Sequence, residues 1–349
     1  MRLARRRPVA LALQGGGALG AFTWGLLDAL FEDGRLMPVA FTGASAGAMN
    51  AAVAADGLAA GGRDEARARL ASFWRAVGRA SGGFNSAPSA WASFWRGLGM
   101  SESAGLAAFD AMLRASSPYE RSASGENPLR AIIEAHVDFE RLRRARGLSL
   151  FVSATDVRTG AARVFARDEL SAEVLLASAC LPALFQAVEI EGAPYWDGGY
   201  AANPPLLPLL GRGLPRDVVL APLNPMRREQ TPRAAGDIVA RVNEITFHAP
   251  YLSELRAIAL AKRLARGGLV VGLPARARAL RLHVIEADGA LADLSGAAKL
   301  QADIGSLEAL SERGRASAAA WLAGPARLVG RKSALDLEAD FVEGEPWAQ

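Results

Sequence analysis

Apolar positions along the chain follow two alternating rhythms. Val9 to Leu13 is an unbroken apolar run of strand length, and the stretch from about Ala18 to Glu32 behind it has helical spacing. The pair then recurs. Val39 to Thr42 reads as a second strand and a second helix follows it, with a glycine turn at each junction. Strands that alternate with helices predict a parallel sheet, and ligands of such sheets bind beyond the carboxyl ends of the strands, where both glycine turns fall. Sheet signals resume at Leu148 to Thr155, with Asp156 to Gly160 as a turn and Ala162 to Ala166 as the returning strand. A helix over Ser171 to Cys180 stops at Pro182. Ala187 to Ile190 is a strand, and the chain turns at Glu191-Gly192 towards Tyr195-Trp196-Asp197-Gly198-Gly199. Asp217 to Leu220 and Leu280 to Ile285 read as further strands, and Ala235 to Thr246, Leu252 to Arg266 and Ser295 to Leu322 as helices.

Between Ser72 and Asn127 the pattern changes to Gly, Ser and large aromatics, among them Phe73, Trp74, Trp91 and Trp95. Such a segment suits a mobile aromatic flap over a hydrophobic pocket, and equally a helical hairpin packed on the sheet. Ala71-Ser72-Phe73-Trp74-Arg75 recurs as Ala92-Ser93-Phe94-Trp95-Arg96, too short a repeat to define a structural unit. The chain has 349 residues, 51% of them hydrophobic, enough to bury a sizeable core. The expected organisation is a catalytic domain at 9–210, an α/β extension at 211–325 packed on the same domain, and a loosely ordered tail at 326–349.

A net charge of +4 is thinly spread and comes almost entirely from arginine. It lacks the dense basic stripe that neutralises phosphates, which argues against nucleic acid as a partner. Arg2, Arg5, Arg6 and Arg7 precede an apolar stretch too short for a signal helix, and no stretch is apolar and long enough to span a bilayer. The expectation is a cytoplasmic protein that meets a membrane peripherally, if at all, through the aromatic segment and the basic amino terminus. Cys180 is the single cysteine, so no internal disulfide forms. No His or carboxylate pair has ligand spacing on one helix face, and neither metal nor cofactor is expected.

Three motifs carry chemistry. Gly43-Ala44-Ser45-Ala46-Gly47 lies between a predicted strand and a predicted helix, the context of a nucleophile elbow, although a serine there also suits a helix cap. Gly15-Gly16-Gly17-Ala18-Leu19-Gly20 also joins a strand to a helix. It fits the dinucleotide fingerprint, and its amides fit an oxyanion hole. A cofactor site also wants an acidic residue at the end of the next strand, where Thr42-Gly43-Ala44-Ser45 stands instead. Asp197, before Gly198 and Gly199, is the candidate base. The order Ser45, Asp197, then His248 or His283 leaves a Ser-Asp-His triad open, while His136 and His283 read as structural.

In this order and spacing the glycine turn, the serine elbow and the distant Asp-Gly-Gly resemble the patatin-like phospholipases. The likeness runs from about Val9 to Leu210 and includes Ser153-Ala154-Thr155-Asp156, Ser178-Ala179-Cys180-Leu181-Pro182 and Asn203-Pro204-Pro205. It implies a three-layer α/β fold with a mostly parallel central sheet flanked by helices. It also implies a lipid acyl hydrolase in which Ser45 and Asp197 form a catalytic dyad, Gly15, Gly16, Gly17, Ala18 and Gly20 form the oxyanion turn, and Gly43, Gly47, Gly198 and Gly199 support the motifs. The substrate class implied is a lipid or another hydrophobic ester. Leu19 stands where the family often has Arg or Lys, which weakens direct headgroup binding there but leaves the backbone amides untouched. Glu254 to Ile258 and Gly314-Arg315 are similar to an extension of some bacterial members. A lipid-binding or regulatory protein with vestigial catalysis, and a nucleotide-binding oxidoreductase built on Gly15 to Gly20, are the competing readings.

Overall fold

Strand β1 (Arg7–Leu13) shows why its apolar run is continuous. Val9, Leu11 and Leu13 enter one core and Ala10 and Ala12 enter another, so the strand is buried on both faces. The computed structural model describes residues 6–82, 116–121, 127–224, 231–233, 235–266, 278–291 and 303–341. Beside β1 lies β2 (Leu36–Gly43), reached through helix α1 (Gly20–Asp33) and followed by α2 (Ala46–Gly61) and α3 (Arg63–Gly82). Three short helices, α4 (Pro118–Arg121), α5 (Leu129–His136) and α6 (Phe139–Arg144), lead to β3 (Ser149–Asp156) and β4 (Ala162–Ala166). Then come α7 (Ala172–Ser178), β5 (Val188–Ile190), β6 (Ala193–Asp197), β7 (Asp217–Ala221), α8 (Ala235–Arg266), β8 (Arg281–Val284), α9 (Asp288–Leu291), α10 (Ile304–Ala323) and α11 (Leu337–Phe341).

The strands form one sheet, hydrogen-bonded along the path β5-β6-β3-β2-β1-β7-β8, with β4 also paired to β3. The pairs β1–β2, β1–β7, β2–β3 and β7–β8 are parallel, and those of β4, β5 and β6 are antiparallel. One face carries the larger core, with residues from α1, α2, α3, α7 and α10, and the other carries Tyr251, Leu255 and Ile258 of α8 with Leu337 and Phe341 of α11. The fold is therefore three-layered, a mostly parallel sheet between helices.

Three expectations are corrected. The aromatic segment does not begin as a flap, because Ser72, Phe73 and Trp74 belong to α3. Phe73 and Trp74 are buried, and the Trp74 Nε1–H donates to Asn50 Oδ1 at 2.9 Å. Residues 83–115 and 122–126, with the second copy of the pentapeptide, lie outside the described residues. The two helices expected around Thr246 and Leu252 are one, α8, whose interior contains Pro250. The stretch after 326 is not loose up to Phe341, because Val329, Leu337 and Phe341 are buried and the Arg7 guanidinium donates to Val329 O at 2.6 Å. Apolar residues among acidic ones were the overlooked signal, and residues 342–349 lie outside the described residues.

Helices α1 and α10 cross in backbone contact. A Cβ on Gly314 would lie 1.9 Å from Phe22 O, and one on Gly25 would lie 1.7 Å from Ser311 O. Inside a helix, alanine is intrinsically better than glycine by about 1 kcal/mol. Here the contact outweighs that preference, so Gly314→Ala should destabilise the protein by about 2 kcal/mol or more in urea unfolding. An unchanged or raised midpoint would refute the close crossing.

Candidate active site

Strand β2 ends at Gly43 and α2 begins at Ala46, so the chain turns within two residues and Ser45 is driven to φ 52° and ψ −127°. For a residue with a Cβ this conformation costs on the order of 1–3 kcal/mol and persists only where its surroundings enforce it. The Ser45 side chain makes no capping bond to α2, which removes the helix-cap explanation. What holds the turn is backbone and a neighbour: the Ser45 N–H donates to Ser178 Oγ at 2.9 Å, and the Gly47 N–H to Ala44 O at 2.8 Å. Gly47 admits no side chain, since a Cβ would lie 2.1 Å from Leu13 O, and a Cβ on Gly43 would strike Gly47.

Asp197 arrives at the elbow from the opposite direction. β3 pairs with β4 along one edge and with β2 along the other, where Gly43 is the partner of Val152. β6 uses that same second edge just beyond β2, with Asp197 the partner of Ala154, and runs antiparallel to β3. β2 and β6 thus run head to head along one edge of β3, and each stops where the other ends. The Asp197 N–H donates to Cys180 O and its carbonyl accepts from Thr155 Oγ1, both at 2.7 Å. Cβ atoms on Gly198 and Gly199 would strike Ser153 O and the Phe247 ring, so this loop is pressed between β3 and α8.

The Asp197 side chain is fully buried, and Ser45 is only 3% exposed. Oδ1 accepts the Gly199 N–H at 2.7 Å, whereas Oδ2 has no hydrogen bond of full geometry. Burial pushes the Asp197 pKa up to about 7, opposed by the Gly199 amide and by the Ser45 side chain as its hydrogen-bonding neighbour. The Cys180 thiol, in the same region, is pushed up to about 12 by burial and by Asp197, which leaves it protonated and inert.

The glycine turn after β1 lies directly against the elbow: a Cβ on Gly15 would be 2.8 Å from Ser45 Cβ. Gly17 has φ 59°, a conformation that favours glycine. Not all five residues can offer an amide. The Gly15 N–H donates to Asn203 Oδ1 at 2.7 Å, and that of Gly20 is taken by the carbonyls of the short turn Gly17–Leu19. The oxyanion assignment of Gly15 and Gly20 is therefore corrected. The amides of Gly16, Gly17 and Ala18 have no carbonyl partner among the described residues.

Several supporting residues were not singled out from the sequence. Asn203 bridges the glycine turn to α8, its Nδ2 donating to Phe247 O at 2.9 Å. Gln14 Oε1 accepts the Leu223 and Asn224 amides at 2.6 and 3.0 Å. Ser153 Oγ donates to Ala202 O and Thr42 Oγ1 to Pro205 O. Ser153, Ser178 and Asn203 sit in stretches already noted as motifs, which marked the place but not which atoms bond; Gln14 carried no signal at all.

The histidines do not complete a triad. With Gln14 Oε1 occupied by two amides, its Nε2–H₂ must face His248 Nδ1, 3.3 Å away, so Nδ1 accepts and the ring proton sits on Nε2. Burial lowers the His248 pKa to about 4, leaving a neutral ring whose one basic lone pair, on Nδ1, is engaged by Gln14. His283 Nε2 lies 2.9 Å from Asp217 Oδ1, at the amino end of β7 and away from the carboxyl-end turns. His136 Nδ1 is 2.8 Å from Ile132 O on α5. No cluster of three or more His, Cys, Asp or Glu side chains among the described residues could hold a metal, and no helix among them is long and apolar enough to cross a membrane.

The family model of the patatin-like phospholipases matches residues 11–210, which contain the glycine turn, the elbow and the Asp-Gly-Gly loop. The chain belongs to the patatin-like phospholipase family. Among curated proteins none matches the chain. A solved structure, VipD from Legionella pneumophila, is similar at 18% identity and a TM-score of 0.34 over 76% of this chain, and the chain spans 56% of that protein.

The raised pKa of Asp197 has a stability consequence with a definite sign. The unfolded chain releases this proton in the ordinary carboxylate range and the folded protein retains it to about pH 7. Between those values each rise in pH favours the unfolded state, so the stabilisation conferred by the protonated form is lost as pH climbs through 7. Asp197→Asn, which carries no charge, should therefore melt several degrees above the parent at pH 8, with the gap closing towards pH 4. A variant that melts below the parent at pH 8 would contradict the buried-carboxylate account.

Proposed function

We propose that this patatin-like protein hydrolyses carboxylic esters of lipids through an acyl-enzyme on Ser45, with Asp197 as the base. The single observation that carries the reading is the opposition of two strand ends: a serine in a strained elbow with no capping role, and beside it a buried carboxyl held near neutral pKa. A general base works best with a pKa near the working pH. At pH 7 and above, Asp197 takes the Ser45 proton as Oγ attacks the ester carbonyl. The carbonyl oxygen becomes an oxyanion, held by the amides of Gly16, Gly17 and Ala18, which have no carbonyl partner among the described residues. Collapse expels the alcohol, which leaves with the proton from Asp197, and the acyl group remains on Ser45. Water then loses a proton to Asp197 and attacks the acyl-enzyme, releasing the fatty acid and returning the proton to Ser45.

Two features favour hydrolysis by the pair alone. His248 and His283 are both committed to other partners, and the glycine turn is locked from behind by Asn203 and Gln14, so its amides are positioned before substrate arrives. A panel of phospholipids, lysophospholipids and acylglycerols, with products identified by mass spectrometry, gives the direct test. The parent should release fatty acid from at least one class, and Ser45→Ala should lose that activity by about a thousandfold or more. Equal turnover by Ser45→Ala would remove the serine from the mechanism.

A further inference from the structure

Two consecutive residues of α8, Phe247 and His248, reach the glycine turn from outside the region that the family model matches. They do so by different means. Phe247 offers its backbone carbonyl to Asn203 Nδ2 at 2.9 Å, a bond that any residue at that position could accept. His248 offers a side-chain atom, Nδ1, to the Gln14 amide at 3.3 Å. Gln14 is the first residue after β1 and directly precedes Gly15, and its own N–H donates to Ala221 O at the end of β7.

The Gln14 amide is held in one orientation by what surrounds it. Its Oε1 accepts the Leu223 and Asn224 N–H groups at 2.6 and 3.0 Å, so the oxygen must face this loop. The NH₂ end then needs an acceptor, and His248 Nδ1 is the one it meets. A ring with its proton on Nδ1 would present a donor there instead. Gln14 would face donors on both sides, and no orientation of its amide could satisfy them all. The ring is kept in the accepting state, because burial and Arg241 disfavour its charged form, and Glu244, which favours it, is paired with Arg241 at 3.1 Å. The buried Nε2–H has no partner and gives no reason for a histidine here, so Nδ1 is the atom through which the residue acts.

What Gln14 fixes lies against the oxyanion donors. Leu223 is buried, and a Cβ on Gly16 would lie 3.0 Å from its Cδ1 and 3.5 Å from its Cβ. The Leu223 side chain thus backs Gly16 and limits where the Gly16 and Gly17 amides can point. We infer that His248 is a positioning residue for the oxyanion turn: through Nδ1 it orients Gln14, Gln14 holds the Leu223 amide, and Leu223 backs Gly16. The inference rests on the acyl-hydrolase reading for its kinetic consequence, and not for the ordering of the turn. His248 touches no reacting atom, and its effect falls on the transition state, because the oxyanion develops only there.

The test compares the parent with three variants. His248→Leu removes the acceptor, His248→Asn puts a side-chain oxygen where Nδ1 stood, and Leu223→Ala takes the side chain off Gly16 while keeping the amide bond. Turnover of a p-nitrophenyl ester is measured beside hydrogen exchange of the Gln14–Gly20 amides by mass spectrometry. His248→Leu and Leu223→Ala should each lower kcat by about tenfold or more with KM within about threefold. Both should bind a trifluoromethyl ketone, which forms an oxyanion adduct on Ser45, more weakly by a similar factor. Exchange across the turn should quicken in His248→Leu while exchange at the crossing of α1 and α10 stays as in the parent, and His248→Asn should recover most of both losses. Parental kcat and exchange in His248→Leu overturn the inference, as does a His248→Asn protein as impaired as His248→Leu. Should His248→Leu fail to fold, parental kcat in Leu223→Ala or strongly reduced kcat in His248→Asn overturns it instead. If Ser45→Ala leaves turnover intact, the catalytic reading falls, and the exchange rates alone then decide the positioning role.

Discussion

The constraint on which the site depends is that one edge of β3 is shared by two strands pointing at each other. β2 occupies it up to the Gly43–Val152 pair, and β6 takes it over at Asp197–Ala154. Parallel pairing delivers Ser45 from one side and antiparallel pairing delivers Asp197 from the other. Neither residue is placed by its neighbours in sequence, since more than a hundred positions separate them, and the ladder of β3 makes them adjacent. The antiparallel pairing of β6 with β3, in a mostly parallel sheet, is thus what brings Asp197 to the elbow.

The surroundings then enforce what the strands only bring close. Ser45 occupies a backbone region that few residues tolerate, and its amide is held by Ser178 Oγ. Asp197 is fully buried with one oxygen unbonded, an arrangement that raises its pKa and opposes stability at neutral pH. Both are costs the rest of the fold offsets, through a continuous core on each face of the sheet and through side chains that tie loop to loop. Asn203 and Gln14 extend that reach to α8, so a helix outside the matched family region, at residues 11–210, braces the glycine turn within it. The same helix also carries the exposed Ile238, Val242 and Ile245.

Much of this was legible in the chain. The continuous apolar runs of β1 and β2, the glycine turns behind them and the Asp-Gly-Gly loop follow from local rules, because strand periodicity and glycine content act within a few residues. What was not legible depends on contacts between distant segments. An apparent break at Pro250 suggested two helices, whereas packing on β7 and β8 carries one helix through it. Phe73 and Trp74 looked like part of a flap because composition cannot tell an aromatic aimed at solvent from one inserted beside Asn50. The oxyanion turn read as five equivalent residues, yet only a side chain 188 positions away, Asn203, removes Gly15 from the donors.

The central claim is that Ser45 is activated by a carboxyl whose proton leaves near pH 7, and covalent labelling reads this without any choice of lipid. The rate at which a fluorophosphonate labels Ser45, followed by intact-protein mass spectrometry with the site confirmed by peptide mapping, should rise with pH through an apparent pKa near 7 and should collapse in Asp197→Asn at every pH. A rate that does not change between pH 5 and pH 8, or full labelling of Ser45 in Asp197→Asn, would contradict the account.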